Sequence, residues 1–460
     1  MVSYHHIDKW GFANLDMIEE VLEKEKKAIV LVAGASSSGK SYMANYLKEL
    51  LNSSGHKAII ISLDQYNHGL SGIIPNKVNQ LYFNNKLANL KKIKAAIKKI
   101  IYNRPFDNKY DEEALCLIKP AISKYLPPDK LDSFLSYLNK EWKVLNFDEP
   151  TVYNLHEAAE DVKKLILGKE IKMKQYSKVV SERVPCDERI SGENYDVIIV
   201  EGIYALDNDM VKEFKGASYV IKDFIDCNPK SLFIRRIIRD AKMTSADNVF
   251  TISIYFKFIL KSYLETIYPN RLNADIILYN DMTFSELRAG DLYTTKDEIK
   301  TNEKEVVHKI LATADIKDTA YQRDIYFSAP LESLETNNVL RLRCLSSDKG
   351  KTYYPSSLVH KGNPKLRRDN KIIRPINVLL KEGEFNKVWK DEADCLKDFL
   401  MAGFYIGPVK RKIKYRLIYK NLPLVIRDID GEGFYIEFER GTSQATIDRF
   451  EKALKAHKLP

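Results

Sequence analysis

The chain has 460 residues, of which 45% are hydrophobic, and is therefore long enough for two or three domains with buried cores. Its formal net charge of +10 favours anionic partners such as nucleotides, polyphosphates, nucleic acid or acidic lipid, although a solvated basic surface would give the same value. Five scattered cysteines without a CxxC pair argue against a disulfide framework or a zinc site.

The sequence shows no pattern that would target the protein to a membrane or to secretion. The N-terminal residues lack the charged-then-apolar layout of a signal peptide, and no apolar run approaches the roughly 18 residues that span a bilayer. The cysteine usage fits a reducing compartment. The sequence therefore predicts a cytoplasmic protein without a membrane partner, and it leaves open whether the protein forms an oligomer.

An α/β pattern occupies the first part of the chain. Residues 1–27 are predicted as an N-terminal helical extension. From residue 28 to 282, short β-rich runs alternate with helical patterns, which is typical of a parallel sheet covered by helices. The runs are almost continuously apolar, as in strands buried on both faces. The predicted strands are 28–34, 57–64, 195–202, 218–226 and 274–280.

The α/β pattern is interrupted over residues 67–145 by a predicted helical insertion. Helical spacing is clearest over 89–101 and 129–142, and "YLPPDK" between them is a turn signal. Because the insertion follows Asp64 at the end of a predicted strand, it is a candidate lid or partner surface.

A second domain is predicted over residues 303–460, after a polar and charged linker over 283–302. Charged and apolar residues alternate there with a period of two, as they do in antiparallel strands. The predicted elements are strands over 339–345, 409–419 and 434–440, and helices over 390–404 and 443–457.

The segment "GASSSGKS" fits the phosphate-binding pattern G-x-x-x-x-G-K-[ST] in full, between a predicted strand and a predicted helix. Its glycines let the backbone point N–H groups at phosphates, and the strand–loop–helix context disfavours a purely structural turn. Lys40 would reach the β and γ phosphates of ATP, and Ser41 would ligate Mg²⁺. The predicted ATP-binding residues of this loop are Gly34, Ser36, Ser37, Ser38, Gly39, Lys40 and Ser41.

Two carboxylates follow predicted buried strands at the end where the phosphate loop lies. Asp64 could orient or deprotonate a substrate hydroxyl, or could cap a turn, and Glu201 could hold the Mg²⁺ shell. Arg236 and Arg239 lie one helical turn apart, which suits a clamp on ATP phosphates but also a solvated helix face. The pattern predicts phosphoryl transfer, with Asp64, Lys40 and Glu201 as catalytic residues.

Six motifs occur in order in the α/β domain outside the insertion. They are "GASSSGKS", "ISLDQY", "NFDEPTVYN", "KQYSKVVSER", "VIIVEGIYAL" and "FIDCNPKSLFIRRIIRD". In this order they resemble the uridine kinase/phosphoribulokinase family. The resemblance implies that Asp64 is the general base, that Asp148 holds the sugar and that Tyr176 contacts the base of a nucleoside. It implies that Arg236 contacts substrate and phosphate, and Tyr66 is a further predicted substrate contact.

Two positions depart from the pattern of that family. Members specific for uridine and cytidine carry a pyrimidine-reading histidine where this chain has Ser181. Their lid carries further arginines, whereas the segment 241–247 of this sequence offers only Lys242. A site without its hydrogen-bonding residue discriminates less, so we expect a relaxed or changed base preference. The acceptor, a nucleoside or another small molecule, stays open.

Rows of charged residues share single faces of the predicted C-terminal strands. Arg341 and Arg343 share one face, and Glu437 and Glu439 share another. A further row comprises Lys410, Lys412, Lys414 and Arg416. Such rows suit a polyphosphate with Mg²⁺, although solvated strand faces could give the same alternation.

Six further segments occur in order in the C-terminal domain. They are "YQRDIYF", "VLRLRCL", "LVHKG", "LKDFLMAGF", "VKRKIKYRL" and "VIRDIDGEGFYIEFER". They resemble the CYTH, or triphosphate tunnel, family, which implies an antiparallel β-barrel that binds a polyphosphate-type anion, with Glu437 and Glu439 as metal ligands. The tunnel residues that the resemblance implies are Lys309, Arg341, Arg343, Lys361, Lys412 and Arg416. The nearest match to the family's opening E-x-E-x-K strand is 305–309, where Val307 replaces the second glutamate.

The leading interpretation is an ATP- and Mg²⁺-dependent kinase that phosphorylates a hydroxyl of a nucleoside or related ribose-containing small molecule. One alternative is a metal-dependent tri- or pyrophosphate hydrolase in the barrel, with the kinase-like domain as a regulator. Another is a barrel that senses a nucleotide or polyphosphate without catalysis. The two-domain architecture is similar to that of plant triphosphate tunnel enzymes. Nucleic acid is not an expected partner, because no nucleic-acid module is visible in the sequence.

Overall fold

A computed structural model describes residues 1–104, 109–243, 247–280, 293–294, 298–329, 339–361, 365–366, 372–439 and 442–459. The chain divides into two compact units. The N-terminal unit comprises Met1–Cys227, Ser231–Asp247 and Ile254–Asp281, and the C-terminal unit comprises Asn228–Lys230, Asn248–Ser253 and Met282–Pro460. Most of the predicted linker, 283–302, lies outside the described residues.

Residues 1–280 contain ten strands and eleven α-helices among those described. The strands are β1 (Val2–Tyr4), β2 (Ala28–Gly34), β3 (Ala58–Ser62), β4 (Glu170–Lys172), β5 (Gln175–Ser177), β6 (Glu182–Val184), β7 (Arg189–Ser191), β8 (Val197–Glu201), β9 (Val220–Asp226) and β10 (Ile276–Tyr279). The helices are α1 (Ile7–Lys24), α2 (Lys40–Ser53), α3 (Leu70–Phe83), α4 (Leu90–Ile101), α5 (Glu112–Ile122), α6 (Pro128–Trp142), α7 (Leu155–Ile166), α8 (Asn208–Val211), α9 (Pro229–Met243), α10 (Asn248–Ile254) and α11 (Leu260–Ser262).

The main sheet of the N-terminal unit has six strands, all parallel, in the order β1-β10-β9-β2-β8-β3. Five of these strands confirm the predicted ones, with ends that differ by a few residues. The sixth, β1, was not predicted, because three residues are too few to show a period. It pairs with β10 from Val2↔Ile276 onward, so the N-terminal extension contributes an edge strand as well as α1.

The central strand β2 consists of apolar residues, and every one of them is buried. Its Leu31 and Ala33 belong to a core cluster that also contains Ile61, Tyr204 and Phe224. In a parallel sheet that is covered on both faces, strands lose the alternation of polar and apolar residues. The buried sheet fixes the positions at which the strands end, and the functional side chains follow those ends.

The helical insertion folds as α3 to α6 around a core of its own. The predicted helices over 89–101 and 129–142 are confirmed as α4 and α6. The sequence does not indicate α3 and α5 as clearly, because each holds a proline, Pro75 or Pro120, in its interior. Leu70 and Ile118 from these two helices are nevertheless buried in the core of the insertion.

The C-terminal unit contains ten strands and three helices of eight residues or more among its described residues. The strands are β11 (Tyr293–Thr294), β12 (Glu298–Thr301), β13 (Asp315–Ser328), β14 (Val339–Ser346), β15 (Tyr354–Lys361), β16 (Lys365–Leu366), β17 (Ile372–Leu380), β18 (Tyr405–Tyr419), β19 (Leu422–Ile429) and β20 (Gly433–Phe438). The helices are α12 (Lys304–Thr313), α13 (Glu392–Met401) and α14 (Gln444–Lys455). The three predicted strands and two predicted helices of this domain are confirmed.

The strands of the C-terminal unit form one antiparallel sheet in the order β11-β17-β15-β14-β13-β18-β19-β20-β12, with β16 paired to β17. Only three residues, 295–297, separate the two edge strands, so their facing ends lie within about 15 Å of each other. Nine flat strands would separate the edges by about 38 Å. The sheet is therefore strongly curved, and we call this curved sheet the barrel from here on.

The predicted opening strand of the barrel over 305–309 is wrong, because those residues lie in α12. Val306, Val307 and Ile310 recur with helical spacing, and all three are buried against a core that includes Ile436 of β20. Lys309 is exposed on this helix, so it does not line the barrel. The strand that pairs with β20 is β12.

None of the described helices is both long enough and apolar enough to cross a membrane.

Candidate active site

The phosphate loop and the two predicted catalytic carboxylates follow three adjacent strands, β2, β8 and β3. In the parallel register Glu201, at the end of β8, lies between Val32 of β2 and Ser62 of β3. Asp64 follows β3 in a short 3₁₀ turn. Because the carboxyl ends of parallel strands meet at one edge of a sheet, these groups face a common site.

The backbone of the phosphate loop requires glycine at two positions. Gly34 and Gly39 have φ values of +154° and +97°. A Cβ atom on Gly39 would lie 2.4 Å from Nδ2 of Asn280, and one on Gly34 would lie 2.5 Å from the carbonyl oxygen of Ile225. The Asn280 amide donates to the carbonyl of Ser38 at 2.6 Å, which fixes the loop from behind. The N-terminus of α2 follows Gly39 directly, so its positive end points to the loop.

The predicted metal ligands of the N-terminal unit lie side by side. The Ser41 hydroxyl donates to Oε2 of Glu201 at 3.0 Å, and the Ser62 hydroxyl donates to Oε1 at 2.5 Å. Glu201 is buried, so its carboxylate is held in one orientation by these two bonds. A hydroxyl and a carboxylate are the hard oxygen donors that Mg²⁺ prefers alongside phosphate and water. The residues present therefore fit a magnesium ion.

Asp64 lies in a cluster of cations. Nζ of Lys178 is 2.8 Å from Oδ2 of Asp64. Burial alone would raise the pKa of Asp64, but Lys178, Lys40 and Arg239 outweigh it and hold the pKa below its usual range. Burial lowers the pKa of Lys40, whereas Glu201 and Asp64 favour its charged form. The predicted base is thus ionised, and the predicted phosphate ligand lies within its electrostatic reach.

The two arginines of α9 take different roles. Nη1 of Arg236 is 2.9 Å from Oδ2 of Asp148, and both side chains are almost fully buried. Nη1 of Arg239 donates to the hydroxyl of Ser36 in the phosphate loop at 2.9 Å. Arg239 therefore lies on the side of the phosphate loop, and Arg236 lies on the side of the predicted sugar ligand Asp148.

Two tyrosines border the predicted acceptor side. Burial raises the pKa of Tyr153 far above its usual range, and the charges of Asp64 and Asp148 add to the shift. Burial likewise raises the pKa of Tyr176, and Asp64 again adds to it. Both phenols therefore stay neutral at physiological pH. The sequence analysis predicted Tyr176 but not Tyr153, although Tyr153 belongs to the motif that carries Asp148.

Tyr66, the other predicted substrate contact, lies elsewhere. Its side chain is 1% exposed in the core cluster of the main sheet, and its hydroxyl lies 3.1 Å from the carboxylate of Asp161. Near the site, only the backbone carbonyl of Tyr66 takes part in contacts: it accepts hydrogen bonds from the Arg183 guanidinium and from the backbone N–H of Asn154. The assignment of the Tyr66 side chain to the substrate is corrected for this reason.

Two basic residues of the site were missed by the sequence analysis. Lys178 follows Tyr176 by two residues in the β5–β6 hairpin, and Arg183 ends the same motif. Arg183 donates to the carbonyls of Asn67 and Tyr66, so it anchors the segment that carries Asp64. Both residues belong to the motif "KQYSKVVSER", and this was the only feature of the sequence that could have pointed to them. Nothing in the sequence alone shows that the hairpin folds back onto Asp64.

A family model described as the Phosphoribulokinase / Uridine kinase family matches residues 133–283. A uridine kinase from Streptococcus agalactiae is 30% identical over 188 residues, which cover 39% of this chain and 86% of that protein. The chain belongs to the phosphoribulokinase/uridine kinase family. A uridine kinase from Staphylococcus epidermidis is 28% identical over 159 residues, covering 35% of this chain and 73% of the relative.

Among solved structures, a possible uridine kinase from Bacillus stearothermophilus is similar to 58% of this chain and 99% of its own, with 14% identity and a TM-score of 0.27. The family membership rests on the sequence relatives. We call residues 28–281 the kinase unit from here on.

The concave face of the barrel lines an open cavity of about 240 Å³. Its lining includes four predicted residues, Arg341, Arg343, Lys361 and Glu437. It also includes residues that the sequence analysis did not assign to the tunnel: Gln322, Val359, Val378, Lys414 and Arg427. These side chains come from β13, β14, β15, β17, β18, β19 and β20, as expected for the inside of a closed sheet.

Three predicted barrel residues take other positions. Lys412 is buried and contacts Asp324 instead of the open cavity. Arg416 is exposed on β18, and Glu439 is exposed beyond the end of β20. Among the described residues that line the cavity, neither Arg416 nor Glu439 occurs, because strand alternation alone does not tell where along a strand the cavity ends.

Asp324 was missed, although it organises the basic wall of the cavity. Its carboxylate is fully buried, contacts Lys412, and lies 3.0 Å from Nη1 of Arg341 and 2.9 Å from Nε of Arg343. Burial would raise the pKa of Asp324, but the three cations outweigh it and hold the pKa well below its usual range. Burial lowers the pKa of Lys412 to about 8 in spite of this partner.

Proposed function

We propose that the kinase unit transfers the γ-phosphoryl group of ATP to a hydroxyl of a nucleoside or a related ribose-containing small molecule. The observation that carries the proposal is the position of Asp64, an ionised carboxylate within electrostatic reach of Lys40 at the sheet edge where the phosphate loop begins. A base, a phosphate ligand and a charge-neutralising cation at one edge are the parts that phosphoryl transfer needs.

The donor side consists of the phosphate loop and α2. The two left-handed glycines turn backbone N–H groups toward the β and γ phosphates, and the helix end adds a positive field. Lys40 and Arg239 supply positive charge beside this loop. Ser41 and Glu201 would hold Mg²⁺, which neutralises charge on the phosphoryl oxygens when it is bound.

The acceptor side consists of Asp64, Asp148, Arg236 and the two tyrosines. Asp64 would accept the proton of the attacking hydroxyl, because it is ionised and half-exposed. Asp148 and Arg236 form a buried ion pair that can orient a sugar through the remaining lone pairs and N–H groups. Tyr153 and Tyr176, both neutral, would pack against the rest of the acceptor.

Ser181 supports a base preference that differs from that of the relatives named uridine kinase. Its side chain is 2% exposed, and its hydroxyl donates to the carbonyl of Lys178 at 3.3 Å. A serine so placed offers no ring nitrogen to a pyrimidine. We therefore expect weaker discrimination among nucleosides than a site with a base-reading histidine would give.

The proposal is tested with purified full-length protein, ATP, Mg²⁺ and a panel of nucleosides and phosphorylated sugars. Asp64→Asn should lower kcat for the best acceptor by about 10²–10⁴-fold with little change in ATP binding, because it removes the base and leaves the phosphate loop intact. Asp187→Asn is the matched control, since Asp187 is a surface carboxylate that also pairs with a lysine. Full activity of Asp64→Asn, or a panel without any acceptor, would overturn the proposal.

We further propose that the barrel binds a polyphosphate-type anion, in keeping with its resemblance to the CYTH family. The supporting observation is the cavity itself, which is lined by Arg341, Arg343, Lys361, Lys414 and Arg427. Titration of the full-length protein with inorganic triphosphate tests this proposal. Lys361→Ala should weaken binding, whereas Lys309→Ala on α12 should leave it unchanged. Equal binding by both variants and the wild type would count against the barrel as the binding site.

A further inference from the structure

Two carboxylates in the barrel wall contact a single guanidinium group. Glu298 of β12 lies directly opposite Glu437 of β20 in the antiparallel register. Nε of Arg427, on the neighbouring strand β19, lies 2.6 Å from Oε1 of Glu437, and its Nη2 contacts Glu298. None of the three side chains is more than 25% exposed. The guanidinium thus lies between the two carboxylates, where a divalent cation would otherwise bridge them.

The remaining predicted metal ligands do not complete a metal site. Glu439 is exposed beyond the end of β20 and is not among the described residues of the cavity wall. Glu305 is exposed on α12. Of the carboxylates assigned to a metal by the resemblance, only Glu437 faces the cavity, and it contacts Arg427. The carboxylates that the CYTH resemblance assigns to a metal therefore do not form a metal site, and the pair of Glu298 and Glu437 is already bound by Arg427.

The charges of the barrel wall favour the binding of an anion even without a metal ion. Among the residues that the structure describes, the cations that line the cavity or contact its lining number six and the carboxylates three. The cations are Arg341, Arg343, Lys361, Lys412, Lys414 and Arg427, and the carboxylates are Asp324, Glu298 and Glu437. This excess of basic over acidic side chains favours a multiply charged anion. A Mg²⁺ ion added to the same site would increase that excess.

The size of the cavity limits what it can enclose. Its volume of about 240 Å³ lies just below the range of about 300–1,000 Å³ that is usual for pockets that bury whole small molecules. A chain of two or three phosphates fits such a volume.

We infer that the barrel binds a di- or triphosphate group without a divalent metal, and that Arg427 takes the place of the metal. The inference rests on the anion-binding barrel of the proposed function and narrows its chemistry. A guanidinium ion neutralises phosphate oxygens, but it does not generate hydroxide from bound water as a metal does. The barrel therefore holds its ligand without hydrolysing it, which favours a sensor over a phosphohydrolase.

The test is calorimetric titration of the full-length protein with inorganic triphosphate, once with EDTA and once with excess Mg²⁺. The wild type should bind in EDTA at least as tightly as in Mg²⁺, without release of phosphate. Arg427→Ala should weaken binding in EDTA at least tenfold, and Mg²⁺ should restore part of it, because Glu298 and Glu437 are then able to hold the ion. Glu439→Ala is the matched control and should bind like the wild type.

Arg427→Lys provides a second variant if the alanine variant does not fold. It keeps the charge but loses the planar fork that spans both carboxylates, so binding should be weaker than in the wild type and still insensitive to EDTA. A parallel titration with GTP identifies the source of the phosphate group. If Arg427→Ala weakens binding of GTP as well, the barrel accepts the phosphate chain of nucleotides; if only triphosphate is affected, it selects free polyphosphate. Both results agree with the inference.

Three outcomes separate this inference from the proposed function. Wild-type binding that disappears in EDTA, or phosphate release that stops in Glu437→Gln, would overturn the metal-free barrel while anion binding stands. Binding of triphosphate that no barrel variant changes would overturn anion binding by the barrel as a whole. Kinase turnover is measured separately with Asp64→Asn, so failure of the kinase proposal is visible independently of both.

Discussion

Lys178 is the residue that most directly controls the proposed base. Its ammonium lies 2.8 Å from the Asp64 carboxylate, and about half of each side chain is exposed. An ammonium so close lowers the proton affinity of the carboxylate and occupies one of its oxygens. A bound phosphoryl group would compete for the same ammonium. Lys178 also supplies a cation from the β5–β6 hairpin, whereas the segment 241–247 at the end of α9 offers only Lys242.

Lys178→Ala should move the acidic limb of the pH–rate profile to higher pH. Asp64 acts as a base only when it is ionised, and the cations around it hold its pKa below the usual range. Without Lys178 the pKa rises, so activity is lost earlier as the pH falls. The measurement is kcat/KM against pH for the best acceptor. Lys172→Ala, which removes a lysine paired with Asp187 at the surface, is the control, and an acidic limb common to all three proteins would contradict the prediction.

Asp223 is a buried residue for which substitution should stabilise the protein. It lies on β9 with no exposed surface, and its polar neighbours on α1, Asn14 and Trp10, make no hydrogen bond of good geometry to its carboxylate oxygens. Burial raises the pKa of Asp223 to about 8. The folded state thus binds a proton that the unfolded chain releases near pH 4, so stability falls as the pH rises from about 4 to 8.

Asp223→Asn removes this titration and adds amide donors beside Asn14. The variant should be more stable than the wild type at pH 7, and its stability should fall less between pH 5 and 8, where one proton accounts for at most about 1.4 kcal/mol per pH unit. Denaturant unfolding at several pH values gives both quantities. Asp16→Asn, at an exposed position of α1, should change neither. Parallel pH profiles for the wild type and Asp223→Asn would show that the carboxyl group is not protonated in the fold.

At the scale of elements, the phosphate loop depends on close approach as well as on backbone freedom. Gly39 and Gly55 both have positive φ values, +97° and +91°. A Cβ atom at Gly39 would lie 2.4 Å from Nδ2 of Asn280, whereas one at Gly55 would meet nothing within 4 Å. Alanine substitutions at the two glycines therefore distinguish the effect of backbone strain, which both share, from the effect of a changed loop shape, which only Gly39 would show.

Gly39→Ala should weaken ATP binding at least tenfold, because the methyl group displaces Asn280 from the carbonyl of Ser38 and shifts the loop. Gly55→Ala should lower the melting temperature through its left-handed backbone and leave ATP binding unchanged. The affinity is measured by titration with ATP and Mg²⁺ and the stability by thermal unfolding. ATP binding that is equal in the two variants would show that Asn280 does not define the loop.

Some of these elements could be predicted from the sequence and others could not. The parallel strands and the phosphate loop follow from continuous apolar runs and a motif with a mechanism, and β2 lies where it was expected. The interval 305–309 was misread as a strand because five residues hold too little of a period, whereas Val306 and Ile310 fit a helix once α12 is seen in full. Lys178 and Asp324 act through partners distant in the chain, so local patterns could not reveal them.

At the scale of the whole molecule, two units with separate cores should unfold in two steps. Asp324→Ala would leave Arg341, Arg343 and Lys412 without their shared buried counter-ion, which typically costs about 3–5 kcal/mol. In differential scanning calorimetry this substitution should lower one transition and leave the other, identified by its response to ATP, in place. Asp318→Ala, at an exposed position of the same strand, is the control, and an equal shift of both transitions would mean that the units unfold together.

The two proposed sites would hold phosphate in two chemically different ways. The kinase unit combines backbone N–H groups with Ser41 and Glu201, a donor set that suits a magnesium–nucleotide complex. The barrel relies on side-chain cations arranged around Asp324 and Arg427. A chelator should therefore abolish nucleotide binding by the kinase unit and leave phosphate binding by the barrel unchanged. Only the kinase unit would then respond to the concentration of free Mg²⁺.

The short strand β1 has a consequence for handling the protein. It covers the outer backbone groups of β10 through the pairs Val2↔Ile276 and Tyr4↔Leu278. Removal of residues 2–4 would leave the apolar strand β10 with unpaired backbone groups at the edge of the sheet, which is a template for pairing with a second molecule. A truncation designed to tidy the N-terminus would thus be expected to produce aggregates, and a fusion partner is better attached at the other end of the chain.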